Sequence, residues 1–265
     1  MLGTVSAISR YPVKAMLGES LNACRVFSGG VAGDRAYALI DGDNRICTPK
    51  IQRKWGPVFR SRARYLAEPE GGDPVLAEVT LPDGARVLTS DSDIDATFSR
   101  LVGFDVRLIT DAPAPLKLES PPLGTVPEND SEPTIDFPVV NHFFDLGSLH
   151  LLTTGTLNHL RSLNPDVRFE PRRFRPNFVI DTGEATGFVE NDWPGKTIEI
   201  GDDVRIKVMM PTMRCVVTTL AQDDLPYEPG VLKTAAQHNS ANVGVYAMVE
   251  QGGLVRSGDE VRIVS

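Results

Sequence analysis

The stretch Thr197-Ile198-Glu199-Ile200-Gly201-Asp202-Asp203-Val204-Arg205-Ile206-Lys207-Val208 sets the pattern for the whole chain. Apolar and polar residues alternate on both sides of Gly201-Asp202-Asp203, and this alternation is typical of two half-buried strands joined by a tight turn. A second tight turn, Ser257-Gly258-Asp259, precedes a strand predicted at 260–264. These segments predict a protein that is built mainly of short strands.

The rest of the sequence extends this pattern. Further strands are predicted at 4–8, 36–40, 45–47, 77–81, 86–88, 106–109, 149–152, 177–181, 204–209, 216–220 and 245–249. The turn Pro82-Asp83-Gly84 predicts a hairpin between 77–81 and 86–88, and Asp41-Gly42-Asp43-Asn44 predicts a second hairpin turn that leads into 45–47. Helical spacing follows Asp91 and also follows Thr153, which can cap a helix. Since so many short strands need their edges paired, we expect a mostly β protein with a few short helices, folded into β-barrels.

The composition changes between Asp111 and Phe137. Six prolines lie there, at positions 113, 115, 121, 122, 127 and 133, with several acids and few large apolar residues. Proline cannot donate to a strand ladder, so we expect neither a helix nor a central strand, but a linker or long loop at 113–137. The sequence therefore predicts one domain at 1–112 and a second one at 113–265.

The overall composition excludes several classes of protein. The chain has 265 residues, of which 41% are hydrophobic and 23% charged, and its net charge of −8 disfavours binding to nucleic acid. No apolar run reaches the length of a membrane span. The first residues lack a basic stretch before an apolar one, so we expect no secretory signal and a cytoplasmic location.

Cys215 has the most informative surroundings of the three cysteines. We expect Pro211 to end the strand before it and the β-branched run after it to start the next, which places Cys215 at a corner between two strands. The neighbouring Arg214 favours the thiolate, which is either a nucleophile or a ligand for a soft metal. The alternative is a buried cysteine that packs as a small apolar residue, and this interpretation suits Cys24 and Cys47 better.

Two groups of cations stand out in an acidic chain. Arg172-Arg173-Phe174-Arg175 places three arginines just before a predicted strand, and guanidinium groups bind phosphate and carboxylate oxygens with two donors. Lys14 and Arg35 both follow turn-prone residues and can point into a cleft. The alternatives are a solvated run that pairs with nearby acids and two ordinary surface cations.

Six motifs, taken in order, resemble the MOSC family (molybdenum cofactor sulfurase C-terminal domain). They are YPVKAM at 11–16, GDRAY at 33–37, RFRPNFVI at 173–180, W-x-G-x-x-I-x-I-G-D at 193–202, RCVVTT at 214–219 and GDEV at 258–261. The order is similar to that of members in which a MOSC N-terminal β-barrel precedes the MOSC domain. The mitochondrial amidoxime-reducing component and bacterial N-hydroxylated-base reductases are of this kind.

The resemblance implies a molybdenum cofactor, Mo-molybdopterin, with Cys215 as the metal ligand. It implies that Lys14, Arg35 and Arg175 bind the pterin phosphate. The other residues that it assigns to the cofactor are Thr153 and Asn177, as hydrogen-bonding neighbours, and Arg214, beside the ligand. Such a cofactor transfers an oxygen atom and two electrons while the protein positions it.

The resemblance therefore predicts a molybdenum-dependent oxidoreductase that reduces N-hydroxylated or N-oxide-type small molecules. No ferredoxin-like segment follows the last motif, so we expect electrons from a separate protein that carries flavin, haem or iron–sulfur. A second hypothesis is a carrier of molybdenum cofactor or of sulfur, with a persulfide on Cys215. A third is a β-barrel scaffold that has lost the cofactor.

Four positions differ from the family pattern. Ala15 and Met213 stand where the reductases have serine, and Asn191 stands where they often have aspartate. A family arginine is replaced near His238-Asn239. These differences concern the substrate pocket more than the binding of the cofactor.

Overall fold

The computed structural model describes residues 2–71, 75–119, 133–137, 143–144 and 146–264. The strands are β1 (Gly3–Arg10), β2 (Glu19–Leu21), β3 (Ala23–Phe27), β4 (Gly30–Val31), β5 (Ala38–Asp41), β6 (Arg45–Ile46), β7 (Arg62–Tyr65), β8 (Ala77–Thr80), β9 (Arg86–Leu88), β10 (Val106–Ile109), β11 (Lys117–Glu119), β12 (Thr134–Asp136), β13 (Leu149–Thr153), β14 (Phe178–Asp181), β15 (Thr197–Ile200), β16 (Val204–Met213), β17 (Asn242–Gln251), β18 (Gly253–Arg256) and β19 (Glu260–Ile263). The helices are α1 (Gln52–Phe59), α2 (Ile94–Val102), α3 (Thr154–Leu163), α4 (Pro171–Phe174) and α5 (Gly230–Asn239), with 3-10 helices at Val189–Asp192 and Val216–Thr219. The predicted class, mostly β with a few short helices, is confirmed.

The chain divides into two compact units. The first consists of Met1–Arg10, Ser20–Ala32 and Asp145–Ser265, and the second of Tyr11–Glu19 and Gly33–Phe144. The N-terminal strand β1 belongs to the first unit because it pairs with β14 and β19. The predicted boundary between residues 112 and 113 cuts the chain at a single point, whereas each of these units consists of more than one segment. The boundary stays a prediction.

The first unit contains a closed barrel of seven strands. Their order is β14-β13-β17-β16-β15-β19-β1, and the pairing of β1 with β14 closes the ring. Strands β13 and β14 run parallel. The hairpin predicted around Gly201 is confirmed, with Ile198 opposite Ile206 and Ile200 opposite Val204, and these side chains are buried in the barrel core.

Two helices cover part of this barrel unit. Helix α3 begins after Thr153, whose hydroxyl accepts a hydrogen bond from the Thr156 amide and so caps the helix as predicted. Leu157 and Leu160 of α3 pack in one apolar cluster with Val231 of α5. The same cluster includes Leu152 of β13 and Val179 of β14, so it forms a second apolar core between the helices and these strands.

The second unit contains two sheets and helices α1 and α2. The sheets have the orders β10-β5-β6-β11-β12 and β7-β8-β9. The predicted hairpin of β8 and β9 is confirmed, and so is the turn between β5 and β6. Trp55 of α1 and Phe98 of α2 are fully buried in the core of this unit.

The structure corrects two predictions around Cys215. Strand β16 does not end at Pro211 but continues to Met213, and the register with β17 shifts on both sides of the proline, which is where strands tolerate it. Residues 216–219 form a 3-10 helix instead of a strand. Short side chains that bond to nearby carbonyl groups compete with the strand ladder, and Thr218 and Thr219 do so here.

The proline-rich segment is also corrected in part. β11 lies between β6 and β12, so Lys117–Glu119 forms an internal strand, contrary to the prediction. Its pairing residues are not prolines, and so each can donate to a neighbour. Residues 120–132 of the predicted linker lie outside the described residues.

We predict that Gly244→Ala destabilises the barrel unit much more than Gly258→Ala. Both glycines have positive φ, +86° and +94°. A Cβ at Gly244 would press against His150 Nε2 and lie 2.6 Å from the Leu151 carbonyl oxygen, whereas at Gly258 nothing lies within 4 Å. We expect a loss of about 3 kcal/mol or more at Gly244 and about 1 kcal/mol at Gly258, measured by urea unfolding. Equal losses would contradict the packing at Gly244.

Candidate functional site

Cys215 lies on a tight turn at the end of the long strand β16. The Arg214 amide donates to the Ala241 carbonyl oxygen at 2.8 Å. Immediately afterwards the Cys215 carbonyl oxygen accepts from both the amide and the hydroxyl of Thr218, at 3.2 and 3.0 Å. The chain therefore leaves the barrel at Cys215 and enters the 3-10 helix.

The three cysteines differ in exposure. Cys24 and Cys47 are buried, and burial raises the pKa of the Cys47 thiol far above its ordinary value. Cys215 is only half-buried. It is therefore the one cysteine that is not enclosed in the core, and the interpretation of Cys24 and Cys47 as packing residues agrees with their burial.

The side chain of Arg214 faces the end of helix α4. Its Nη2 donates to the Phe174 carbonyl oxygen at 2.6 Å, and its guanidinium carbon lies 5.8 Å from the centre of the Phe174 ring. This bond joins the Cys215 turn to the residue directly before Arg175. The structure thus brings the two predicted cofactor segments of the first unit together.

The three clustered arginines perform three different tasks. Arg172 forms ion pairs with Glu170, Asp223 and Asp224, so the interpretation as a solvated run is correct for this residue. Arg173 is buried. Arg175 ends α4 in the left-handed conformation, with a φ of 56°, and is half-buried.

Lys14 and Arg35 are described within the second unit. Lys14 is buried, its Nζ donates to the Phe143 carbonyl oxygen at 3.0 Å, and it lies 4.7 Å from the centre of the Phe137 ring. Arg35 pairs with the buried Asp34 and has a φ of 50°. Neither residue is an ordinary surface cation.

Thr153 and Asn177 have internal partners in the barrel unit. Besides capping α3, the Thr153 hydroxyl donates to Glu190 at 2.6 Å, and its side chain is fully buried. Asn177 accepts a hydrogen bond from the His150 amide at 3.1 Å, and its Nδ2 donates to the Ser9 carbonyl oxygen at 3.4 Å. Both side chains therefore hold strands and a helix in place.

Glu190 was not found from the sequence, where it stands among polar residues in Val189-Glu190-Asn191-Asp192. It is fully buried and accepts hydrogen bonds from the hydroxyls of Thr153 and Thr156, each at 2.6 Å, and from the Gly244 amide at 3.1 Å. Burial raises its pKa although these hydrogen bonds act in the opposite direction. No sequence pattern distinguishes it from an exposed acid.

Comparison with known proteins identifies the family. The MOSC domain matches residues 138–262, and the MOSC N-terminal beta barrel domain matches residues 2–58. The chain belongs to the MOSC family. Membership links this protein to molybdenum-cofactor binding or to sulfur transfer.

Solved structures resemble this MOSC protein at low identity. The YUAD protein from Bacillus subtilis is 11% identical, with a TM-score of 0.48, over 98% of this chain and 94% of that one. YiiM from Geobacillus stearothermophilus is 15% identical, with a TM-score of 0.35, over 45% of this chain and 55% of that one. No curated protein sequence matches the chain.

Buried polar atoms around Cys215 fit the binding of an anionic cofactor. Within the described residues, five buried side-chain nitrogen or oxygen atoms have no hydrogen-bond partner, and three of them belong to Thr212, Arg214 and Gln222. Leaving a buried polar group without a partner costs about 1–3 kcal/mol, so a ligand that accepts hydrogen bonds from these atoms would recover that cost. Two of the three are donors, Arg214 Nε and Gln222 Nε2, and the Thr212 hydroxyl can donate as well.

The described part of the chain lacks both a membrane-spanning helix and a cluster of side chains suited to a metal ion. No helix there is long and apolar enough to cross a membrane. No group of three or more His, Cys, Asp and Glu residues there is arranged to hold a metal ion.

We predict that Glu190 makes stability fall as pH rises. Its folded-state pKa lies above the ordinary 4.5, so above that pH the folded protein keeps a proton that the unfolded chain has lost. The free energy of unfolding of the wild type, relative to Glu190→Gln, should decrease by up to about 1.4 kcal/mol per pH unit through this window. Urea unfolding between pH 4 and 8 measures the difference.

Glu199→Gln is the matched control for this measurement. Hydrogen bonds from Arg205 and Arg262 lower the pKa of Glu199, so its contribution is present above the ordinary pKa and is lost only as pH falls. A difference between wild type and Glu190→Gln that stays constant with pH, or that follows the Glu199 control, would contradict the raised pKa of Glu190.

Proposed function

We propose that this MOSC protein binds Mo-molybdopterin and acts as an oxidoreductase on N-hydroxylated or N-oxide-type small molecules. One observation carries the proposal. Cys215 is the one cysteine that is only half-buried, and it lies on a turn whose neighbours Thr212 and Arg214 have buried polar atoms without partners among the described residues. Family membership supports the involvement of a molybdenum cofactor.

In this proposal the Cys215 thiolate is the protein ligand of molybdenum, because a soft metal favours a sulfur donor. Lys14, Arg35 and Arg175 bind the phosphate of the pterin, since a phosphate dianion requires several cations. Arg214 would donate to the cofactor through Nε, which has no partner among the described residues. Thr153 and Asn177 contribute indirectly, through the helix cap and strand contacts that they make.

When bound, the cofactor supplies two-electron transfer coupled to movement of an oxygen atom. In the reaction the nitrogen–oxygen bond of the substrate breaks, two electrons enter from a separate donor protein with flavin, haem or iron–sulfur, and two protons complete a water molecule. The protein binds and orients the reactants and neutralises the phosphate. The proposed location of these events is the cytoplasm.

We predict that Cys215→Ala lowers bound molybdenum about tenfold or more and abolishes turnover, because the thiolate ligand is lost. Cys24→Ala, a buried cysteine of the same unit, is the matched control and should retain the metal. Elemental analysis of both purified variants, together with fluorescence of the oxidised pterin, measures the effect. Full molybdenum content and activity in Cys215→Ala would refute the ligand assignment.

The same preparations separate the proposal from its rivals. Stoichiometric pterin and molybdenum with turnover support the enzyme. A persulfide on Cys215, found by mass spectrometry as one added sulfur atom without turnover, would instead show a sulfur carrier. A wild-type protein that stays empty in a host that makes molybdopterin would show a scaffold that has lost the cofactor.

We predict that Arg175→Met reduces pterin content about tenfold, whereas Arg172→Met leaves it near the wild-type level. Both substitutions remove a guanidinium from the same segment, but Arg172 is bound by Glu170, Asp223 and Asp224. Pterin fluorescence per mole of protein is the measurement. Equal pterin loss in the two variants would remove Arg175 from the phosphate site.

A further inference from the structure

Arg173 is a buried cation whose hydrogen bonds end on the main chain. Its exposed fraction is 1%. Nε donates to the carbonyl oxygen of Arg168 at 3.1 Å, and Nη2 donates to that of Pro226 at 3.0 Å. Nη1 is shared by the carbonyl oxygens of Thr218 and Leu220, at 3.4 and 3.3 Å.

The acceptors distinguish Arg173 from the arginines beside it. Arg168 and Arg172 both pair with Asp224 at the surface. Within the described residues, no carboxylate accepts a hydrogen bond from Arg173, although burial disfavours its charge and lowers its pKa. A guanidinium stays charged even so. Four carbonyl groups that accept its hydrogen bonds stabilise it, and the carboxylate of Glu228, to which it has no hydrogen bond, favours its charge as well. The segments that supply these carbonyl groups are in turn restrained by the guanidinium.

Two of the four acceptors lie in the turn that follows Cys215. Thr218 is the residue whose amide and hydroxyl both donate to the Cys215 carbonyl oxygen. Leu220 directly follows the 3-10 helix. Two successive hydrogen bonds therefore connect the Arg173 guanidinium to the main chain of Cys215: one runs from Arg173 to Thr218 and the next from Thr218 to Cys215.

We propose that Arg173 is a positioning residue for Cys215, which fixes the 3-10 turn and thereby the place of the thiol. The inference rests on the proposed function insofar as Cys215 is the reactive thiolate. Arginine is required because its planar fork reaches acceptors on several sides, whereas lysine has one nitrogen on a flexible stem. Arg173 touches neither substrate nor cofactor in this role.

The test compares Arg173→Lys with Arg172→Lys in the full chain. Both variants keep the positive charge, and they differ by one position. The proteins are made in a host without molybdopterin synthesis, so that the Cys215 thiol is unligated. Iodoacetamide is added under native conditions, and the alkylation rate of each cysteine is followed by peptide mass spectrometry.

We expect Arg173→Lys to raise the alkylation rate of Cys215 about fivefold, because the turn opens locally more often. Cys24 and Cys47 report on unfolding of the whole chain, and their rates should not change. Arg172→Lys should behave as the wild type. Thr218→Val, which removes the hydroxyl bond to Cys215, should also raise the Cys215 rate selectively.

Three results would overturn the proposal. The first is an equal alkylation rate of Cys215 in Arg173→Lys and Arg172→Lys, and the second is an unchanged rate in Thr218→Val. The third is a rise in the alkylation rates of all three cysteines together, which would assign Arg173 to the stability of the fold in general. An unfolded Arg173→Lys protein counts as the third result. A wild type that binds no molybdopterin refutes the proposed function instead, and it leaves these rates measurable.

Discussion

Two threonine hydroxyls determine where the chain leaves the barrel. Thr218 donates to the Cys215 carbonyl oxygen and Thr219 to that of Val216, at 3.0 and 2.7 Å. Carbonyl groups that are satisfied within their own turn do not need a neighbouring strand, so the ladder of β16 and β17 stops at this point. Cys215 consequently ends on a turn and not inside a sheet, and every chemical role considered for it depends on that position.

Several buried polar groups of the first unit lie at the same turn. The side chains that β15 and β16 contribute to the barrel core are aliphatic and need no partners; they are Ile198, Ile200, Val204, Ile206 and Val208. The buried charge of Arg173 and the atoms of Thr212, Arg214 and Gln222 without partners among the described residues lie instead in or against residues 212–222. Stability alone favours apolar residues at such places, because burial of polar groups is unfavourable. Their position near the half-buried Cys215 agrees with a role of this segment in binding a ligand.

Much of the fold follows from the sequence because strand signals are local. Alternation around Gly201 and the turn at Pro82-Asp83-Gly84 specify hairpins that the structure contains. The prediction for residues 216–220 was wrong because β-branched residues favour strands, but threonine hydroxyls can also bond to nearby carbonyls, and only the tertiary context decides between them. Closure of the barrel by β1 and β14 joins residues far apart in sequence, and no local pattern shows it.

The site was harder to predict, since burial changes what a charged residue does. Arg172, Arg173 and Arg175 look equivalent in the sequence, yet one pairs with surface acids, one binds carbonyl groups in the interior and one ends a helix. Glu190 was missed for the same reason. A charge pattern indicates that cations are present, but the partner of each cation depends on contacts with residues such as Asp224 and Thr218 that lie some fifty positions away in the sequence.

Backbone conformation adds a separate argument for two of the predicted phosphate-binding residues. Arg35 and Arg175 have φ values of 50° and 56°, in the left-handed region, where a residue other than glycine costs about 1–3 kcal/mol. Glycine or asparagine would occupy these positions with less strain. Strained residues cluster at ligand sites, which agrees with the proposed phosphate-binding role, although Ala15, Ser240 and Ala241 also have positive φ values. Because Arg172 has ordinary helical geometry and satisfied ion pairs, the strain separates the arginines that we assign to the phosphate from the one that we do not.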